Sequence, residues 1–313
     1  MATETRNTKQ VLLMTGFAFL AWLLVLTLTK FLLNHFSVFP ATDNPWLGMI
    51  FHHIPNYVFG LSALLIVFRF IPDATDTRPK EKVRLIHAVV IIFGAYGLGT
   101  LINGIIMQNL LNWLSAYYPI TIGTTDSHLD LSGLNGAFAG LFLGACVAGF
   151  GEELIFRKLL YKKMAGCPDI LYIMVSGITF GIMHTYFTQG FGHIFVGMAF
   201  AYIYLRTKSY ILVALIHLFI DTIPMFFTPL LEALAAHTAV IVLQFSYIAF
   251  IYVCMLIVII WYRKKFNWNI QPATEAGWEF MSGKFPLWTM LKSPGIALFT
   301  VYCIGEMIYN LFH

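Results

Sequence analysis

Two adjacent glutamates followed by an arginine, Glu152-Glu153-Leu154-Ile155-Phe156-Arg157, close an apolar run. With 8 Glu and 7 Arg in 313 residues, frequency multiplication supplies roughly 0.005 copies of E-E-x-x-x-R by chance. On a helix Glu153 and Arg157 are i,i+4 and share a face, so Arg157 can neutralise Glu153. Glu152 points about 100° away and is left for another task. The plainer alternative is a charge cluster at a helix end, with both glutamates offsetting Arg157 and Lys158. Ionisable residues inside apolar spans are costly and mark functional sites. Two histidine pairs follow, Phe180-x-x-x-His184 and His217-x-x-x-Asp221. Each pattern alone is expected about once or less by chance, and Phe31/His35 and His52/Asn56 are decoys; the weight lies in their combination. A carboxylate and a histidine facing one water can hydrolyse an amide, with Glu152 as general base and His184 orienting or deprotonating that water. His217 and Asp221 can then stabilise a developing oxyanion or hold a second water. Asp221 must be protonated to donate; ionised, it orients His217. Glu152, His184 and His217 also make a catalytic zinc set, although the H-E-x-x-H helix signature is absent.

The elements that must position these groups are written in the composition. Hydrophobic residues make up 59% of the chain and charged ones 11%, against about a quarter charged in a soluble domain. Lipid is therefore the expected solvent, which excludes a disordered chain, a disulfide-stapled secreted domain and a soluble enzyme. Cys146, Cys167, Cys254 and Cys303 show neither metal-ligand spacing nor a disulfide framework and read as free, mostly buried thiols. Apolar runs able to cross a bilayer fall at 11–33, 46–71, 83–108, 131–157, 170–187, 190–206, 210–231 and 236–262. The first is too long for a cleaved signal peptide and reads as an anchor. Lys and Arg crowd into alternate connections (6–9, 78–84, 157–163, 206–208, 263–265) and are missing from 34–45, 109–130, 187–192 and 209–262. The basic side is cytoplasmic, so the N-terminus is expected there, and in a bacterium the membrane is the plasma membrane.

The expected fold is all-α: a polytopic membrane helix bundle forming a single membrane domain over 1–313. Residues 1–10 are its cytoplasmic N-terminus, 11–262 an eight-span bundle with its core at about 130–225, and 263–313 an interfacial segment plus a ninth span. Trp268, Trp278, Pro286 and Trp288 suit the headgroup layer, and the ninth span is the apolar run Pro294 to Phe312, interrupted by Glu306. At 1.5 Å per residue Glu152 lies about 9 Å and His217 about 12 Å inside the cytoplasmic boundary. A tight turn at Gly190 and Gly192 that stays below the outer surface puts His184 about 16–18 Å in. These groups share one slab, which a cavity open to the cytoplasm can serve. His52, His53 and Pro55 read as a kink with interfacial histidines, His87 and His193 as interfacial, and Ser62 and Ser176 as packing residues.

E-E-x-x-x-R, F-x-x-x-H and H-x-x-x-N/D on successive helices resemble the CAAX protease and bacteriocin-processing family (CPBP, also Abi). These are intramembrane endopeptidases related to type II CAAX prenyl endopeptidases. The resemblance covers about 130–225. It implies that Glu152 and His184 activate water, that Glu153, Arg157 and Phe180 support them, and that His217 with Asp221 stabilises the intermediate. Many members have Asn where Asp221 stands. The family is described both as glutamate-type without metal and as metal-dependent; no cofactor is expected here, with zinc on Glu152, His184 and His217 as the alternative. The implied partners are membrane lipid and a peptide or lipid-modified protein substrate, a prenylated CAAX C-terminus or a bacterial leader peptide or bacteriocin, and no nucleic acid. A non-catalytic scaffold or bacteriocin-immunity protein is the competing reading, which intact Glu152, Glu153, His184 and His217 disfavour. A proton-coupled transporter would call for an inverted repeat of broken helices, which the sequence does not show.

Overall fold

The computed structural model describes residues 7–38, 42–76, 79–118, 120, 131–262 and 286–312. Every regular element among them is helical. The helices are α1 Thr8–His35, α2 Pro45–Phe68, α3 Leu85–Ser115, α4 Gly133–Met164, α5 Asp169–Ile182, α6 Phe187–Thr207, α7 Tyr210–Ala233 and α8 His237–Ile260. A short α9, Pro286–Leu291, and α10, Pro294–Phe312, follow. Seven of them, α1 to α4, α7, α8 and α10, are long and apolar enough to cross a membrane. The protein is an integral multi-pass membrane protein.

Two of the expected spans differ. The fifth is only 14 residues, Asp169–Ile182, and the sixth does not reach the hydropathy of a crossing helix. Both are largely enclosed by neighbouring helices, so protein supplies what lipid would otherwise have to. The turn expected at Gly190 and Gly192 also lies earlier, at 183–186, because Thr185 takes a left-handed backbone with φ 55°. The two glycines are inside α6 and serve close packing instead. A Cβ on Gly99 of α3 would stand 2.7 Å from Gly192 Cα, an approach that only small residues permit. Trp268 and Trp278 lie outside the described residues; Trp288 is exposed.

Local sequence explains the helix ends. Asn44 Oδ1 accepts from the backbone N–H of Trp46 (3.0 Å) and Leu47 (3.4 Å), with Pro45 in the first turn of α2, a favoured N-terminal arrangement. Ser209 Oγ caps α7 by accepting from Leu212 N. Several long helices contain wider π-helical turns. One of these contains Pro55, at Ile54–Gly60, and one follows the paired glutamates, at Leu154–Leu159. Such turns cluster at functional sites.

An aromatic core ties the first helices to the middle ones. Phe19 stacks on Phe156 (5.2 Å), and Phe156 meets Phe180 edge-on (5.2 Å), while Trp22 Nε1 donates to Asn56 Oδ1 at 2.7 Å. The connection between α2 and α3 is strapped to the ends of α4 and α6. Ala74 N donates to Lys162 O and Glu81 N to Arg206 O, both at 2.8 Å. Asp73 pairs with Lys163 (2.6 Å), Asp76 with Lys208 (2.8 Å), and Glu81 with Arg206. On α8, Ile241, Val242 and Phe245 are exposed, as expected of a face turned to hydrocarbon.

Candidate active site

Glu153 is fully buried and both of its oxygens are engaged. Oε1 accepts from His217 Nδ1 at 2.9 Å, and Oε2 lies 2.9 Å from Arg157 Nε. The second contact is an ion pair by distance without hydrogen-bond alignment. Arg157, also fully buried, donates from Nη2 to Gly197 O at 3.1 Å. Its guanidinium lies over Phe180 (4.9 Å), Phe200 (5.2 Å) and Phe156 (5.6 Å). Aromatic faces and one carboxylate thus replace water around a charge that would otherwise be prohibitive here.

Glu152 is turned elsewhere. Its side chain keeps 22% exposure and its Oε2 stands 3.9 Å from His217 Nε2. The same Nε2 is 3.3 Å from Asp221 Oδ2. A carboxylate accepts, so Nδ1 carries the hydrogen of the bond to Glu153, while Nε2 faces the carboxylates of Glu152 and Asp221. His217 is therefore placed as a donor. Gly149 lets α4 and α7 approach closely enough for this, since a Cβ there would stand 2.9 Å from Leu218 N.

His184 follows the end of α5 and has the opposite polarity. Its Nδ1 is 2.8 Å from Phe180 O. A carbonyl can only accept, so Nδ1 carries the hydrogen and Nε2 keeps a lone pair able to take a proton. The Phe180 ring packs against His184 (5.2 Å) and His217 (5.8 Å), which gives the phenylalanine of the second motif a physical purpose. It is the apolar wedge between the histidines and Arg157. No direct contact joins Glu152 to His184; His217 and Phe180 link them.

Two neighbours escaped the sequence reading. His193, expected at an interface, stacks on His184 with ring centroids 4.1 Å apart, and its Nδ1 lies 2.7 Å from Gln189 O. The signal available was a histidine inside an apolar run, but its partner depends on where α5 and α6 turn. Tyr57, one turn after His53, lies beside the glutamates: its Oη is 3.3 Å from where a Cβ would stand on Gly151. His53 Nε2, in turn, lies 2.7 Å from Leu143 O and ties α2 to α4. Ser176 Oγ reaches Phe156 O at 3.5 Å from a fully buried position, a packing role as expected. Among the described residues no three His, Cys, Asp or Glu side chains are grouped to hold a metal ion.

Residues 134–223, which carry all three motifs, match the family model for type II CAAX prenyl endopeptidase, Rce1-like. By this match the segment is similar to the CAAX protease family. No curated protein and no solved structure matches the chain. The matched segment begins within α4 and ends in α7, so it contains the glutamates, both motif histidines, His193 and Asp221. Tyr57 and the helices α1 to α3, α8 and α10 surround it from outside the match.

Proposed function

We propose that this protein is an intramembrane endopeptidase that hydrolyses a peptide bond near the cytoplasmic face, using water activated by Glu152 and His184. The observation that carries the reading is the division of labour between adjacent glutamates. Glu153 is consumed by Arg157 and His217, while Glu152 remains partly exposed beside the same histidine. A water between Glu152 and the Nε2 of His184 gives up a proton to one of them as its oxygen attacks the scissile carbonyl carbon. The carbonyl oxygen becomes an oxyanion, and the Nε2–H of His217, aimed by Glu153 and Asp221, is the donor that stabilises it. The C–N bond then breaks, and the proton taken from water passes to the departing amine. Water and one amide yield one acid and one amine, and both bases return to their starting state. The substrate is a peptide or lipid-modified protein held in the membrane, CAAX-type or a bacterial leader peptide. The N-terminus and the basic connections face the cytoplasm.

The test is cleavage of a peptide library, including prenylated and unprenylated C-terminal CAAX peptides, by the detergent-purified protein. Wild type is expected to cut; Glu152→Ala and His184→Ala are expected to lose at least about 100-fold in kcat. A chelator arm reads metal dependence. Equal cleavage by wild type and Glu152→Ala overturns the assignment.

A further inference from the structure

The residue following His184 is gripped from outside the matched segment. Asn310, near the end of α10, donates from Nδ2 to Thr185 O at 2.9 Å and approaches Thr185 Oγ1 at 3.5 Å. On the other side, Asn103 of α3 donates from Nδ2 to Thr188 O at 2.7 Å. The 183–186 turn is therefore held by the Asn310 amide, and the first turn of α6 that follows it by the Asn103 amide, both from helices distant in sequence.

The need for such a grip is physical. The backbone N–H groups of His184 and Thr185 are satisfied locally, by Gly181 O (3.3 Å) and Ile182 O (3.1 Å). The left-handed Thr185 swings its own carbonyl out of the helical ladder. That conformation is unfavourable for a non-glycine residue, and threonine is β-branched as well. A carbonyl left unpaired in an apolar surrounding costs more, so an interruption here persists only if some neighbour donates to it. Asn310 does so, and its helix is itself anchored. Tyr302 Oη is 2.8 Å from Thr27 Oγ1, Phe299 packs on Phe19 (5.7 Å), and Met307 Cε stands 3.1 Å from where a Cβ would lie on Gly190.

We propose that Asn310 is a positioning residue for His184, and that α10 is thereby a working part of the active site: it holds the left-handed Thr185 on which the placement of the His184 imidazole depends. The kinetic part of this inference rests on the peptidase reading; the conformational part does not.

The experiment uses the full-length protein in detergent, with Asn310→Leu, Asn310→Gln and the double variant Asn310→Leu/Thr185→Gly. Two readouts are taken: kcat and KM on a library peptide that wild type cuts, and hydrogen exchange of backbone amides by mass spectrometry. Asn310→Leu is expected to lower kcat up to about 100-fold, the scale of a displaced catalytic group, with KM within about twofold. Exchange is expected to quicken in 183–190 and not in α1 or α4. Asn310→Gln, which keeps the donor, and the double variant, whose glycine adopts positive φ freely, are expected to recover part of the loss. Unchanged kcat and unchanged exchange in Asn310→Leu overturn the proposal, as does exchange that rises throughout the bundle with no rescue by Thr185→Gly. If Glu152→Ala cuts as well as wild type, the assigned active site falls, and the exchange measurement alone decides whether Asn310 holds the turn.

Discussion

Removing the Glu153 carboxylate would leave the Arg157 charge buried among three aromatic rings and a single carbonyl, and His217 without its Nδ1 acceptor. Breaking a buried pair by deleting one partner costs roughly 3–5 kcal/mol. Glu153→Ala is therefore expected to lower the thermal midpoint sharply in scanning fluorimetry. Glu152→Gln is expected to leave that midpoint nearly unchanged while abolishing turnover; equal destabilisation by the two variants would contradict their assigned roles. His193 offers a finer comparison. An aromatic pair contributes about 0.5–1.5 kcal/mol beyond its buried area, and the stack on His184 restrains the ring that would take the proton. His193→Phe preserves an aromatic face and is expected to keep most of kcat. His193→Ala is expected to lose about tenfold, equivalent to ~1.4 kcal/mol, and kinetics on the two variants side by side check this.

At the scale of elements, the site depends on how closely α4 and α7 approach. A side chain at Gly149 would press on the Leu218 backbone, next to His217, and overpacking of this kind costs about 1–3 kcal/mol. Gly149→Val is expected to lower both the thermal midpoint and kcat, with Gly149→Ala intermediate; a fully active valine variant would show that the separation of these helices does not set the His217–Glu153 bond. The pairings within one helix were legible in the sequence, because Glu153 with Arg157 and His217 with Asp221 follow from helical spacing alone. Apolar run lengths likewise indicated α1 to α4, α7 and α8. What lies between helices was not legible. Glycines conventionally mark a turn, yet Gly190 and Gly192 mark close packing inside α6, and the left-handed residue is a threonine. The His184–His193 stack and the reach of Asn310 depend on tertiary placement, to which no periodicity in the chain corresponds.

For the whole molecule, the alternation of basic and bare connections makes a directional prediction. With the four native cysteines replaced, a membrane-impermeant maleimide added outside intact cells is expected to label a cysteine at Ser115. A cysteine at Lys80 is expected to be labelled only after permeabilisation; the reverse pattern would invert the orientation. Lys80 lies in the α2–α3 strap, whose Asp73 reaches Lys163 on α4, and between Lys163 and the paired glutamates lies the wide turn Leu154–Leu159. A π-helical turn is in effect an α-helix carrying one extra residue. That residue sets the phase of α4: it fixes the angle between the face bearing Glu152 and Glu153 and the face bearing Lys162 and Lys163. Deleting any single residue from 154–159 would slip this gearing by about 100°, so that either the glutamates keep their bearing and the strap loses its lysine, or the reverse. Homologous chains that retain both surfaces should therefore carry no one-residue gap in this stretch.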